Sequence, residues 1–271
     1  MNKINFKYLY GPVPSWRLGS SLGVDLLSQD SKICNFDCLY CQLGKTLFYT
    51  VRRKLYIPTE EIIGEINKLP KAEINYITFS GRGEPTLAIN LGDAIRAVKN
   101  IRSEPVAVLT NSALISDKAV RRDLSYADFV VAKLDTDSQE LLEVINNPSS
   151  GIKLKKIIYG LKKFCKKYTG RLALQMMFIA DNKNQVDMLI QLANTIKPDE
   201  IQINTPLRPS RAKPLSEEKI AAIKKHFREQ YMISYKGQPI RLVSTYDDTF
   251  YQKVQPISDK DTIRRRGKPI E

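Results

Sequence analysis

Three of the four cysteines lie within eight residues of one another, at Cys34, Cys38 and Cys41. A disulfide framework spreads its cysteines along the chain, so thiols grouped this closely indicate a metal site or catalysis. Three thiolates in one loop can ligate three irons of a cubane cluster and leave the fourth iron open to an outside ligand. A structural zinc site requires four ligands, and the only histidine, His226, lies nearly two hundred residues away. An iron–sulfur cluster with an open corner is therefore the stronger interpretation.

The fourth cysteine, Cys165, belongs to an apolar stripe that follows helical spacing. The stripe consists of Leu154, Ile157, Ile158, Leu161, Phe164, Cys165 and Tyr168. Free cysteine commonly behaves as a small buried hydrophobe. We expect that role for Cys165 rather than metal ligation.

The rest of the chain alternates short β-branched runs with longer amphipathic stretches, which indicates an α/β fold. The predicted strands are Leu22–Leu27, Ile74–Ser80, Val106–Asn111, Ala127–Leu134, Leu172–Ile179 and Glu200–Thr205. Helical patterns occupy 59–69, 90–100, 116–125, 138–146, 153–168, 184–196 and 216–230. Thr59 and Ser216, each followed by two glutamates, are interpreted as N-caps. The strands are apolar almost throughout, as in a parallel sheet covered on both faces.

Six βα units fit a partial (β/α)6 TIM-like barrel. A Rossmann fold is less favoured, because no G-x-G-x-x-G turn follows the first strand. In a barrel the chemistry lies at the carboxyl ends of the strands. The segments that follow those ends are the cysteine loop, Ser80–Pro85, Asn111 with Ser112, Asp135, and Thr205–Arg208. We also expect Gln175, on the fifth strand, to line the barrel mouth.

These motifs together resemble the radical S-adenosylmethionine (SAM) superfamily over roughly residues 20–206. Tyr40 matches the aromatic residue that precedes the last cysteine, and Ser80-Gly81-Arg82-Gly83-Glu84-Pro85 matches the glycine-rich segment that meets the cofactor's amino group. The resemblance implies a [4Fe–4S] cluster on Cys34, Cys38 and Cys41 and a SAM molecule bound at its open iron. One electron from the cluster then yields methionine and a 5′-deoxyadenosyl radical. The implied cofactor-binding residues are Tyr40, Gly81, Gly83, Glu84, Asn111, Ser112 and Asp135.

Each of these polar residues also has a plainer interpretation. Gly-x-Gly-Glu-Pro is compatible with a tight βα turn in which a glutamate begins a helix. Asn111, Ser112 and Asp135 are equally typical of strand-end residues that cap the next helix.

The flanking motifs resemble one small subgroup of that superfamily, classed with the wybutosine-type tRNA enzymes. They are Gly11 to Gly19, Gly23 to Leu27, Cys41 to Gly44 and Thr205 to Pro209. Only Cys165 remains outside the loop, so a second cluster lacks ligands and a single-cluster enzyme is expected. Three functions stay open: modification of tRNA or another RNA, modification of a protein or peptide (as by a glycyl-radical activase), and a non-enzymatic iron–sulfur or zinc protein.

The formal net charge of +14 favours an anionic partner such as RNA. Basic residues concentrate at Arg52 to Lys54, Arg208 to Lys213 and Arg264 to Lys268. No apolar run is long enough for a membrane span and no signal peptide precedes the fold, so we expect a cytoplasmic protein. The resemblance to radical SAM enzymes further implies a reductant such as flavodoxin or ferredoxin. The expected organisation is an N-terminal leader at 1–21, a barrel at 22–230, and a C-terminal extension with a basic tail at 231–271.

Overall fold

The computed structural model describes residues 6–230, 232–247 and 262. Its centre is an eight-stranded sheet in the order β1-β2-β5-β6-β7-β8-β9-β10, curled into a partial barrel. The strands of this sheet are β1 (Leu9–Ser15), β2 (Gly19–Val24), β5 (Tyr76–Phe79), β6 (Val106–Thr110), β7 (Phe129–Lys133), β8 (Arg171–Met177), β9 (Glu200–Asn204) and β10 (Arg241–Ser244). A small separate pair consists of β3 (Ile33–Cys34) and β4 (Phe48–Tyr49).

Seven helices connect and cover the strands in the described part of the chain. They are α1 (Thr59–Ile66), α2 (Leu91–Ile101), α3 (Lys118–Leu124), α4 (Gln139–Asn146), α5 (Leu154–Cys165), α6 (Val186–Ile196) and α7 (Glu217–Glu229). Every strand from β2 onward pairs in parallel with its neighbours, while β1 pairs antiparallel with β2. The predicted α/β partial barrel is confirmed, and each of the six predicted strands is present.

The segment that we expected to be a leader is part of the sheet from residue 9 onward. Strand β1 and the first residues of β2 form a hairpin along the edge of the barrel. The two strands approach closely because Gly23 lacks a side chain: a Cβ there would lie 2.1 Å from the ring of Tyr10. The prolines of β1 suit an edge strand, where a missing backbone donor breaks no ladder. At the opposite edge, β10 contains most of the β-like segment 240–243 noted in the sequence.

The two faces of the sheet differ, although the strands were predicted to be apolar on both. On the outer face, residues such as Val130, Ala132 and Leu174 pack into the core beneath the helices. On the inner face, the amino ends of the strands are apolar and the carboxyl ends are polar. The apolar inner cluster contains Leu18, Ala107, Phe129, Val131 and Ala173. Because side chains alternate along a strand, the next inward positions after this cluster include Lys133 and Gln175.

Of the two predicted helix N-caps, the structure confirms one and not the other. Ser216 caps α7 as predicted, accepting a hydrogen bond from the backbone nitrogen of Lys219. The prediction that Thr59 caps α1 is wrong: Thr59 is the first helical residue, and its hydroxyl accepts a hydrogen bond from Asn90 Nδ2 at 3.0 Å. Among the helices described here, none is long and apolar enough to cross a bilayer.

Candidate functional site

A cavity of about 310 Å³ opens at the carboxyl edge of the sheet. Eight of the ten predicted site residues line it: Cys34, Cys38, Cys41, Tyr40, Gly81, Gly83, Glu84 and Asn111. Gln175 also lines the cavity, as predicted, and its amide donates to Gln202 Oε1 at 3.2 Å. Segments that are far apart in sequence therefore meet at one place, as the barrel topology requires.

The cysteine loop is fastened to three other parts of the fold. Cys34 ends β3, and the backbone nitrogen of Thr50 donates to its carbonyl oxygen at 3.3 Å. On the α4 side, the backbone nitrogen of Asp37 donates to the carbonyl of Asn146 at 2.9 Å. From the segment between β9 and α7, Arg211 donates to the carbonyl oxygens of Asp37 and Cys38 at 2.9 and 3.1 Å. The backbone that carries the thiols is thus held by contacts within the protein.

The glycine-rich segment packs directly against the cysteine loop. The nitrogen of Ile33 donates to the carbonyl of Arg82 at 3.1 Å, and the nitrogen of Glu84 donates to the carbonyl of Ile33 at 3.2 Å. A Cβ on Gly83 would lie 1.8 Å from the Ile33 carbonyl oxygen, so only glycine fits there. Gly81 has φ +125°, and a Cβ on it would lie 2.4 Å from the carboxylate carbon of Asp25. The two glycines of the Gly81-Arg82-Gly83 motif are thus required by close contacts within the protein, whether or not they also contact a cofactor.

Glu84 is a buried carboxylate at the wall of the cavity. Its Oε1 accepts hydrogen bonds from the hydroxyls of Thr86 and Thr110, both at 2.6 Å, and its Oε2 accepts from the backbone nitrogen of Asn111 at 2.7 Å. Burial raises the pKa of Glu84, and these hydrogen bonds oppose that rise. The carboxylate therefore joins the glycine-rich segment to the end of β6.

Tyr40 is held by a buried polar network behind the cysteine loop. Its hydroxyl donates to Asp135 and accepts from Asn146 Nδ2 at 2.8 Å. Burial, followed by the charge of Asp135, raises the pKa of the Tyr40 phenol well above its ordinary value. The other carboxylate oxygen of Asp135 accepts from the backbone nitrogen of Met177 at 2.9 Å. Asp135 therefore anchors Tyr40 to β8.

Two predicted cofactor residues, Ser112 and Asp135, are not among the residues that line the cavity. Asp135 lies behind Tyr40 in the network just described. Ser112 is fully buried with φ +68°, and its carbonyl accepts from the nitrogen of Ile115 at 3.1 Å, which shapes the turn after β6. Strand-end position selected the correct edge of the sheet for these two residues, but it did not determine which way each side chain points.

Two lysines that line the cavity were not among the predicted site residues. Lys32 is buried, and its ammonium lies 3.1 Å from Cys41 Sγ. Lys133 lies with its ammonium 4.1 Å from the centre of the Tyr40 ring. Lys133 shares the strand parity of Phe129 and Val131, so alternation along β7 was a usable signal for it. Lys32 had no such signal, because it precedes a two-residue strand.

Cys165 lies in the core at the end of α5, as predicted, and its thiol donates to the carbonyl of Lys197 at 3.1 Å. Burial, followed by the charge of Asp199, raises the pKa of Cys165 to about 11. In the cavity, burial and then the charge of Glu84 raise the pKa of Cys34 to about 12. Thiols in such surroundings stay protonated at neutral pH unless a metal binds them.

The donor set of the cavity fits an iron–sulfur cluster. Within the described ranges, no three cysteine, histidine or carboxylate side chains converge tightly enough to hold one ion together. A cubane needs a different arrangement, because each thiolate ligates its own iron and the sulfurs stand around the cluster. Cys34, Cys38 and Cys41 supply three such thiolates on the wall of one cavity.

The comparisons with known sequences agree with this site. The sequence profile of the Radical SAM superfamily matches residues 29–193. The UPF0026 protein slr1464 of Synechocystis is 41% identical over 214 residues, which cover 79% of each chain. The UPF0026 protein MJ1312 of Methanocaldococcus jannaschii is 36% identical over 223 residues, covering 80% of this chain and 68% of that one.

Solved structures share the fold at low sequence identity. SuiB of Streptococcus suis bound to the precursor peptide SuiA superposes with a TM-score of 0.60 and 14% identity, covering 82% of this chain and 48% of SuiB. TYW1 with a lysine–pyruvate adduct superposes with a TM-score of 0.59 and 16% identity, covering 77% of this chain and 73% of TYW1. This chain thus spans about half the length of SuiB. These structural likenesses show the shared fold. The profile match and the UPF0026 relatives show that the chain belongs to the radical SAM superfamily of enzymes, whose members bind an iron–sulfur cluster and SAM.

Proposed function

We propose that the protein holds one [4Fe–4S] cluster on Cys34, Cys38 and Cys41 and cleaves SAM reductively. The observation that carries this proposal is the meeting of the three cysteines with Gly83 and Glu84 around a single cavity. When bound, the cluster supplies one electron that breaks a C–S bond of SAM and releases methionine and a 5′-deoxyadenosyl radical, which abstracts hydrogen from the substrate.

The protein's own residues bind and orient in this scheme. The three thiolates ligate iron and leave one corner free, since no fourth cysteine lines the described cavity wall. Glu84 and the backbone of Gly81 and Gly83 form the side of the cavity to which we assign the amino group of SAM, and Asn111 lies beside them for the ribose. A carboxylate suits an ammonium partner because charge-assisted hydrogen bonds are the stronger ones. We assign Ser112 and Asp135 supporting positions behind this wall.

Anaerobic reconstitution of the wild type and of Glu84→Gln tests this assignment. The wild type should take up about four irons, as a cubane requires. Glu84→Gln removes the charge but keeps the size, so it should load iron normally and bind SAM at least tenfold more weakly by equilibrium dialysis. The amino-group role of Glu84 would be contradicted by the opposite pattern. In that case the variant loses much of its cluster, while the fraction that does load binds SAM as tightly as the wild type.

We propose a structured RNA, such as tRNA, as the substrate. Beside the cysteine loop, Leu47, Phe48, Tyr49 and Val51 are 69%, 61%, 40% and 48% exposed. No acidic residue occurs between Gln42 and Thr59, whereas Lys45, Arg52 and Lys54 are exposed. Exposed aromatic rings among basic side chains are typical of surfaces that stack bases and neutralise phosphates.

A shallow groove lies along this basic surface. Residues 49–52 form one side of the groove, and residues 147–150 form the other. Lys153, Lys155 and Lys156 follow the second side, at the start of α5, and all three are exposed. The similarity to the probable GTP 3′,8-cyclase of Saccharolobus islandicus, 25% identical over 247 residues, agrees with a phosphate-bearing substrate.

The basic segments noted in the sequence contribute unequally to this proposal. Arg53 is taken up by an ion pair with Asp123 at 2.5 Å, and the guanidinium of Arg211 is bound to the cysteine loop. Neither is therefore assigned to phosphate. The segment Arg264 to Lys268 lies outside the described residues.

Filter binding of total tRNA across a salt series tests the RNA proposal. Arg52→Ala should flatten the log–log slope by about 0.7 to 0.9 if it removes one phosphate contact. Phe48→Ala should weaken binding roughly tenfold at every salt concentration through lost stacking. Lys225→Ala, an exposed lysine on α7, is the charge-matched control and should leave both unchanged. Equal effects of Lys225→Ala and Arg52→Ala would show that binding depends only on the overall charge of the protein. That result would argue against this surface as the RNA-binding site.

Reduction requires an electron donor, and we propose a flavodoxin or ferredoxin for that role. Cys41 is the most exposed of the three ligating cysteines, which agrees with electron entry from the solvent side of the loop.

A further inference from the structure

Each cysteine sulfur in the cavity accepts a hydrogen bond from a group outside its own side chain. Cys34 Sγ accepts from the backbone nitrogen of Phe36 at 3.5 Å and from Asn111 Nδ2 at 3.6 Å. Cys38 Sγ accepts from Asn146 Nδ2 at 3.4 Å. The contact of Cys41 is the shortest and the only charged one, with Lys32 Nζ at 3.1 Å.

The ammonium of Lys32 lies closer to the Cys41 sulfur than to any carboxylate among the described residues. The nearest carboxylate, that of Asp37, lies farther away at 3.8 Å. Asp37 is already bound by Arg211 at 2.8 Å and by the backbone nitrogen of Thr46 at 2.7 Å. The Lys32 ammonium is further fixed by donating to the carbonyl of Gly44 at 2.9 Å, and the whole side chain is only 7% exposed.

Charges around the loop otherwise nearly balance. Arg17, Lys133 and Arg211 contribute positive charge, while Asp37, Glu84 and Asp135 contribute negative charge. The Lys32 ammonium therefore makes the largest contribution to the electrostatic potential at Cys41. Its contact with the sulfur is short and buried, so it is screened far less than the more distant charges.

From these contacts we propose that Lys32 sets the reduction potential of the cluster through its ammonium–sulfur hydrogen bond to Cys41, with the amides of Asn111 and Asn146 in weaker parallel roles. Reduction adds one electron to the cluster and makes it more negative. A donor that bonds to a ligand sulfur stabilises the reduced state more than the oxidised state, so it raises the potential. Burial acts in the opposite direction, and Lys32 offsets it. Lys32 is on this account a positioning and tuning residue, and the inference rests on the proposed function.

The test is a redox titration followed by electron paramagnetic resonance on anaerobically reconstituted protein. Lys32→Met removes the charge and the donor while keeping a chain of similar length. It should make reduction at least tenfold less favourable, which for one electron is a shift of 59 mV toward negative potential. Lys32→Arg keeps the charge and the donor and should stay within threefold of the wild type.

Lys45→Met is the matched control. Lys45 is exposed in the same loop, so its loss changes the net charge equally without touching a cysteine. It should leave the potential within threefold of the wild type.

The outcomes separate this inference from the proposed function. A wild type that takes up no iron–sulfur cluster contradicts the proposed function itself. If the wild type takes up the cluster but the reduction potential of Lys32→Met equals that of the wild type, the role of Lys32 is overturned and the proposed function stands. The same holds if Lys45→Met shifts the potential as far as Lys32→Met does. If Lys32→Met and Lys32→Gln both fold by circular dichroism but take up no iron, the inference is also overturned, because Lys32 then serves cluster assembly.

Discussion

Close contacts at single residues bring the cysteine loop and the glycine-rich segment together. Gly83 is the tightest of these, because the Ile33 carbonyl oxygen occupies the place of its side chain. This contact and two backbone hydrogen bonds hold Glu84 beside Cys34. A change of a single methyl group here acts on the geometry of the cavity and on the stability of the fold together.

Gly83→Ala should lower the unfolding free energy of the apo-protein by about 2–3 kcal/mol, the upper part of the range for overpacked sites. It should also reduce iron uptake. Gly64→Ala is the control, because nothing lies within 4 Å of a Cβ there and the residue is inside α1. That change should raise stability by up to about 1 kcal/mol. Urea unfolding measures both, and a neutral Gly83→Ala contradicts the packing described here.

Cys165 should affect stability and leave the chemistry unchanged. Cys165→Ala should load iron normally and lose about 1 kcal/mol at pH 8 through lost packing, at the low end of core truncations. Reduced iron uptake by this variant would return Cys165 to the candidate ligands.

A second readout of Cys165 is the pH dependence of unfolding. Its pKa is about 11 in the folded protein against an ordinary value of 9.0, so between pH 9 and 11 the unfolded chain binds fewer protons. Wild-type stability should therefore fall through this window faster than that of Cys165→Ala, by up to about 1.4 kcal/mol per pH unit. Unfolding free energies from urea titrations would be compared across this pH range. If the wild type and Cys165→Ala lose stability in parallel, the Cys165 thiol has the same pKa in the folded and unfolded chains, and the prediction is wrong.

Strands and helices were the most predictable elements, because their periodicity is local. Six strands and seven helices follow from the sequence to within a few residues at each end. The hairpin formed by β1 and β2 was missed, because its glycines and prolines indicate a loop and its pairing partner is decided by tertiary contact. On the polar inner face, Gln175 was predicted and Lys133 was not. Lys133 is a single polar position in an apolar run, and only the curvature of the sheet gives it a cavity to face.

The order of the strands and loops along the chain determines which segments meet at the candidate site, and this part of the site was predictable from the sequence. Cysteine spacing and strand-end position placed the candidate residues at one edge of the barrel, and eight of the ten line a single cavity there. Side-chain direction at that edge depends on hydrogen bonds formed across the fold. Asp135, for example, turns toward Tyr40 and Met177 rather than toward the cavity. Glu84 likewise has partners from β6 that no local pattern indicates.

The segment between β9 and α7 acts as a strap over the cysteine loop through Arg211. Arg211→Ala removes hydrogen bonds to the carbonyls of Asp37 and Cys38. It should speed iron loss to a chelator at least tenfold, as for one charge-assisted hydrogen bond of about 1.5 kcal/mol or more. Lys213→Ala is the control on the same segment, since Lys213 is exposed. Absorbance at the cluster band follows the loss. Equal rates in the two variants would show that the strap does not retain the cluster.

At the scale of the whole molecule, the partial barrel explains why the residues that we assign to the cluster and to the cofactor meet at one cavity. Parallel strands deliver their carboxyl ends to a single edge, and the inner face changes from apolar to polar toward that edge. The apolar end closes the interior with packed side chains, while the polar end receives the loops that carry sulfur, carboxylate and amide groups. The basic, aromatic surface beside the cysteine loop lies at this same end, which supports an RNA substrate at the mouth of the barrel.

Release of 5′-deoxyadenosine from SAM tests the central claim most directly. Protein reconstituted anaerobically with iron and sulfide, then reduced with dithionite, should form methionine and 5′-deoxyadenosine in equal amounts. A variant with Cys34, Cys38 and Cys41 all changed to alanine, prepared in the same way, should form neither. Stoichiometric zinc without iron uptake, or a fully loaded cluster that leaves SAM intact after reduction, would contradict the assignment of this cavity to radical SAM chemistry.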